Sequence, residues 1–137
     1  MNARLSLAAL ALSALAAPAF AAGDADVGDK EFRKCKSCHA IESASDTIVK
    51  GGKTGPNLHG VIGRVAGTVE GFNYGADLVK LGETGFTWDE ESLATYIEDP
   101  AAFLKDKLDD GAAKSKMSFK MRKNSADVAA YLATFSD

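Results

Sequence analysis

The chain has 137 residues, 46% of them hydrophobic, and a formal net charge of −3. That length suits one small domain and leaves no room for a second core. The mild acidity points away from nucleic acid as a partner.

The first residues read as a leader. Asn2 to Arg4 is a short positive region, Leu5 to Leu15 is an apolar run, and Ala19-Phe20-Ala21 places small residues where a signal peptidase cuts. Cleavage is expected after Ala21, giving a signal peptide over 1–21 and a single domain over 22–137. The apolar run is too short to span a bilayer, and no later segment approaches that length. An exported, periplasmic protein with no stable membrane insertion is the expectation. Its mature form loses only Arg4 among charged side chains and so becomes one charge more acidic.

From Asp24 onward, acidic residues precede Val27, Phe32 and Cys35 on one apolar side, which reads as a helix. Its last turns deliver Cys35-Lys36-Ser37-Cys38-His39. Two thiols followed at once by an imidazole form the attachment signature of a c-type haem. At helical spacing i, i+3 and i+4 the three side chains leave one face and meet one flat ring, the thiols suited to the vinyl groups and the imidazole to iron. A redox disulfide of Cys35 and Cys38 is the competing reading, but no βαβ pattern surrounds the motif. With His59 the same residues do not have the spacing of a structural zinc site.

Residues 42–85 are rich in Gly, Thr, Asn and Lys and lack sustained periodicity, so long Ω-like loops are expected there, with one short helix around Ala76 to Leu81. Thr87 is the expected N-cap of the next helix, with Glu90 three residues on and Leu93, Tyr96 and Ile97 as its apolar stripe. Pro100 stops that helix or begins another over Ala101 to Leu108. Gly111 to Lys123 reads as loop. Ser125 is the expected N-cap of a terminal helix carrying Val128, Tyr131, Leu132 and Phe135. An all-α fold follows, with long loops that need something central to pack on. A haem supplies it.

Iron takes two axial ligands, and His39 supplies one. An open second position permits peroxide chemistry or binding of a small molecule, whereas a thioether closes the iron, raises its potential and suits electron transfer. His59, Met117 and Met121 are the candidates. Met117 is preferred, because Lys116-Met117-Ser118-Phe119 lies in a loop that can swing over the free face. For Met121 the plain alternative is a core gap-filler. For His59 it is a hydrogen bond between loops.

With these residues in place, the chain resembles the class I cytochromes c, most closely the larger bacterial cytochromes c2, over nearly all of its length from Gly28 and Phe32 to Tyr131. Lys53-Thr54-Gly55-Pro56-Asn57-Leu58-His59-Gly60 is similar to the family's loop on the histidine side of the haem. The resemblance implies a cytochrome c fold in which the first and last helices cross, Gly28 and Phe32 packing against Val128 and Tyr131. It implies that the Pro56 carbonyl orients His39, and that Arg64, Tyr74 and Trp88 surround the propionates. Tyr96 then approaches the sulfur of Met117, and Phe119 lies near the exposed haem edge. Leu78 falls near the interior asparagine of the mitochondrial form, and the chain has extra residues between His39 and Lys53 and between Pro100 and Met117.

What the resemblance implies for function is a monomeric one-electron carrier, not an enzyme, with one covalently attached haem c. Its donor would be a cytochrome bc1 complex and its acceptor a photosynthetic reaction centre or a terminal oxidase. Lys34, Lys36, Lys53, Lys114, Lys116, Lys120 and Lys123 are candidates for a ring that steers acidic partners to the haem edge. A five-coordinate haem enzyme or gas sensor is the competing class.

Overall fold

A computed structural model describes residues 20–135. Apart from Phe20 and Ala21, the expected leader lies outside the described residues. The order of elements is α1 (Ala25–Glu31), a 3-10 turn (Phe32–Lys34), β1 (Ile41–Glu42), β2 (Thr47–Val49), α2 (Ala76–Glu83), α3 (Glu90–Glu98), α4 (Pro100–Leu108) and α5 (Ser125–Ala133).

The frame is the crossing of α1 and α5, against which α3 also packs. Asp24 starts α1: its carboxylate accepts the amides of Asp26 at 2.9 Å and Val27 at 3.2 Å, satisfying donors that the first helical turn leaves free. At the crossing, Gly28 is obligatory. A Cβ there would collide with the Asp127 carbonyl oxygen and approach Tyr131 Cβ to 2.7 Å. Phe32, 1% exposed, sets its ring 5.6 Å from that of Tyr131, and Val128 and Leu132 close the interface. The contact expected of Gly28 and Phe32 is therefore present.

Two caps differ from expectation. Helix α3 is capped by Asp89 and not by Thr87: the Asp89 carboxylate accepts the Ser92 amide at 2.7 Å, while the Ser92 hydroxyl accepts the Asp89 amide at 3.1 Å. Thr87 is instead held in a bridge with Val65, two residues too early to cap. Asn124, in the left-handed region at φ 63°, stands at the N-cap position of α5 without a side-chain capping bond, and Ser125 is the first helical residue. The Ser125 hydroxyl is engaged elsewhere, donating to Glu98 at 3.0 Å and tying α5 to α3.

Between α3 and α4, Asp99 accepts the Ala102 amide at 3.1 Å and Pro100 occupies the first helical position, where its missing N–H costs nothing. The loop-rich stretch holds α2 as anticipated, two residues longer than expected. It is preceded by an unanticipated antiparallel pair in which Ile41 faces Val49 and Glu42 faces Thr47. Ile41 is fully buried and Val49 packs partly buried against the core, which anchors the hairpin. A second core layer is aromatic: Trp88 lies 5.0 Å from Tyr96 and 5.7 Å from Phe103, ring centre to ring centre. Among the described residues, no helix is long and apolar enough to cross a membrane.

Candidate haem site

A cavity of about 370 Å³, within the usual range for small-molecule sites, opens between the turn after α1, the loop 54–58 and the arm 114–119. Leu93, Tyr96, Ile97, Val128 and Leu132 from α3 and α5 line it from the core side. Every residue expected at the haem borders it: Cys35, Cys38, His39, Pro56, Arg64, Tyr74, Trp88, Tyr96, Met117 and Phe119.

The attachment motif sits on a turn rather than inside a helix, because the backbone has already tightened at Phe32–Lys34. The grouping survives. The Cys35 carbonyl accepts the amides of both Cys38 at 3.1 Å and His39 at 2.9 Å, which keeps the i, i+3, i+4 relation without a continuing helix. No disulfide joins Cys35 and Cys38. Burial pushes the Cys35 thiol up to about 11, whereas hydrogen bonds from Thr54 and then Ser37 draw the exposed Cys38 thiol down.

His39 is fixed by its neighbours. Its Nδ1 lies 2.8 Å from the Pro56 carbonyl oxygen, which can only accept, so Nδ1 carries the hydrogen and Nε2 keeps its lone pair for iron. Burial, opposed by that hydrogen bond, lowers the imidazole pKa below its ordinary value and favours the neutral form a metal needs. Gly55 makes the close approach possible: a Cβ there would lie 2.6 Å from Nδ1 and collide with Cε1.

Sequence reasoning missed Gly55 and also Asn57. The Asn57 side chain accepts the amides of Glu42 at 3.0 Å and His59 at 3.1 Å and donates to the Glu42 carbonyl at 2.7 Å. It therefore rivets the Pro56 loop to β1. The signal was an amide beside the ligand-orienting proline, in a loop needing its own polar anchors.

Donors gather on another wall. Arg64 Nη1 donates to the carbonyls of Asn57 at 3.1 Å and His59 at 3.2 Å, leaving the rest of its guanidinium for the cavity it borders. The Tyr74 hydroxyl accepts the Val69 amide at 3.0 Å and retains its own hydrogen to donate. With the donor-only indole of Trp88, these groups suit carboxylates brought in from water.

Of the three candidates for the second ligand, Met117 borders the cavity. Met121 is 4% exposed within the core and donates its amide to the Ile97 carbonyl at 2.9 Å. His59 lies outside the lining, its carbonyl occupied by Arg64. Tyr96 reaches the Met117 arm through Ser115: its hydroxyl is 3.5 Å from Ser115 Oγ, which also accepts the Met117 amide at 3.1 Å. Leu78 borders the cavity from α2. Around the mouth, Phe119 is 42% exposed, which leaves an apolar edge open to a partner.

The lysines are not equally free. Lys34 pairs with Glu31, Lys53 with Glu42 at 3.3 Å and Lys120 with Asp99 at 2.8 Å, while Lys116 donates to the Asn73 carbonyl at 2.9 Å. Exposed pairs of this kind open at little cost, so these charges remain available to a partner.

An attachment turn, a proline-oriented imidazole, a thioether bordering the same cavity and a wall of donors fit a haem. They define a small helical protein of the c-type haem class. No family model matches the chain. It is 59% identical over 113 residues to cytochrome c2 of Rhodobacter capsulatus, spanning 82% of each chain. It is 56% identical over 115 residues to cytochrome c-551 of Roseobacter denitrificans, spanning 83% of this chain and 82% of the relative. The solved structure of the Rhodobacter capsulatus cytochrome c2 superposes with a TM-score of 0.81, covering 82% of this chain and 97% of that one. The chain belongs to the class I cytochromes c, close to the cytochromes c2. It carries one covalently attached haem c and is an electron-transfer protein rather than an enzyme.

Proposed function

We propose that this chain is a periplasmic, soluble one-electron shuttle, with Cys35 and Cys38 as the thioether attachments and His39 and Met117 as the axial ligands. The haem supplies an iron that alternates between ferrous and ferric. The residues keep that change small in structural terms. Pro56 and Gly55 hold the His39 ring in one orientation, Met117 on the arm would hold the iron of a bound haem from the same cavity, and Trp88 and Tyr96 of the aromatic layer give that cavity an apolar wall. Arg64, Tyr74 and Trp88 offset the propionate charge. The observation that carries this reading is the meeting of His39 and Met117, 78 positions apart in sequence, on one cavity.

A leader over 1–21, cleaved after Ala21, exports the domain 22–137. In the periplasm it takes an electron from a cytochrome bc1 complex and passes it to a photosynthetic reaction centre or a terminal oxidase, docking as a monomer through the exposed Phe119 edge and the lysines around it. The test is reconstitution with each isolated complex. Reduction by the bc1 complex and oxidation by at least one acceptor, both slowed by salt, are expected. Iron that is high-spin, five-coordinate and ready to bind carbon monoxide in the native protein would overturn the carrier reading.

A further inference from the structure

The two sides of the cavity are held by different means. Gly55 and Leu58 of the histidine loop are bonded backbone to backbone with Cys38 and Ala40 at 2.8 and 3.1 Å. On the Met117 side, Ala113 N bonds to the Asp110 carbonyl at 3.1 Å and Met121 N to that of Ile97 at 2.9 Å. Between these points, among the described residues, no backbone-to-backbone hydrogen bond ties the arm 114–120 to the rest of the fold. Side chains suspend it. Lys116 and Lys120 reach outward from the arm to Asn73 and Asp99, and Ser115 meets Tyr96. Among the described residues, one hydrogen bond grips the backbone of the arm from outside: Asp77 Oδ2 accepts the Lys114 amide at 2.7 Å.

Asp77 lies in the first turn of α2, and its carboxylate has only two side-chain torsions to hold, against four for each lysine. One turn further on, Lys80 lies on the same face and pairs with Asp110 at 3.9 Å, at the foot of the same arm. Leu78, between them, borders the cavity. Helix α2 thus meets the arm at two points, and the stronger is a short, charge-assisted bond three residues from Met117.

We propose that Asp77 is a positioning residue for Met117: by clipping the Lys114 amide to α2, it sets how readily the methionine sulfur leaves the iron. The proposal rests on Met117 being the axial ligand. Its plain alternative is that Asp77 only complements the positive end of α2 as an acid in the first turn. The two separate chemically. Asp77→Asn removes the charge but keeps an oxygen for the Lys114 amide, whereas Asp77→Ala removes both.

The experiment uses the full haem-loaded ferric protein, imidazole as the competing ligand and amide hydrogen exchange at Lys114. In Asp77→Ala, imidazole affinity should rise about tenfold and Lys114 exchange should accelerate by a similar factor, as loss of one charge-assisted bond implies. Asp77→Asn should retain the greater part of wild-type behaviour in both. Equal imidazole binding by wild type and Asp77→Ala would overturn the clip, as would equal shifts in Asp77→Ala and Asp77→Asn. Met117→Ala runs alongside: should it keep the weak red band of iron–methionine ligation, the ligand assignment itself has failed and the clip falls with it. Should it lose the band while Asp77→Ala is unaltered, only the clip has failed.

Discussion

Replacing Asn57 with alanine tests whether the histidine side of the haem is held by a side chain that touches neither iron nor haem ligand. Three hydrogen bonds disappear together: those from the amides of Glu42 and His59 and that to the Glu42 carbonyl. At a net worth of about 1 kcal/mol for each partly buried bond, the loss approaches ~3 kcal/mol. Water reaching the vacated groups reduces that figure, so about 2 to 3 kcal/mol is the expected destabilisation. Guanidinium unfolding of the haem-loaded protein, followed by far-ultraviolet circular dichroism, measures it as a lowered midpoint with little change in slope. Because Pro56 immediately precedes Asn57, the His39 Nδ1 bond should loosen as well, and the ring N–H should exchange faster with solvent. A destabilisation below about 0.5 kcal/mol, the range of ordinary surface substitutions, would refute the rivet.

Gly28→Ala should cost about 1 to 3 kcal/mol or more, since the methyl meets the α5 backbone and neither helix can shift without opening the other's core; thermal unfolding checks it. Asp89 holds its carboxyl below the usual carboxylate range through the Ser92 hydroxyl and then the Ser92 amide. A lowered folded pKa gives stability that is complete above the unfolded value of about 3.9 and lost as pH falls through the folded one. Asp89→Ala should therefore cost about 1 kcal/mol at neutral pH and progressively less in acid, read from urea midpoints across the pH range. Charge reversal at Lys116 or Lys120 should slow electron exchange with a partner at low salt and matter little at high salt, by stopped-flow mixing.

Much of the architecture was legible because local and global signals agreed. The periodicity of Val128, Tyr131 and Leu132 gives α5, the proline at position 100 opens α4, and the grouping of Cys35, Cys38 and His39 is kept, though on a turn in place of a helix. Where the reading slipped, a distant residue decided. Thr87 has the chemistry of a cap, but its bridge to Val65 fixes where the chain turns, and the next acceptor in line is Asp89. Ser125 likewise gives its hydroxyl to Glu98, 27 residues away. The hairpin of Ile41 and Val49 is too short for alternation to register, and the packing of these two residues on the core holds it. Asn57 and Gly55 were inconspicuous for a related reason: their roles follow from what lies across the loop, which no spacing along the chain encodes. The pairing of Lys53 and Lys120 with carboxylates depends on the same kind of proximity, whereas that of Lys34 with Glu31 is local, three residues apart.

The central claim is that Met117 closes the iron opposite His39 while Met121 is core packing. The visible spectrum of the oxidised, haem-loaded protein tests it in paired variants. The weak red band of iron–methionine ligation should vanish in Met117→Ala and persist in Met121→Ala, the latter losing about 2 to 5 kcal/mol of stability from the cavity it leaves. Persistence of the band in Met117→Ala, or its loss in a folded Met121→Ala, would contradict the account.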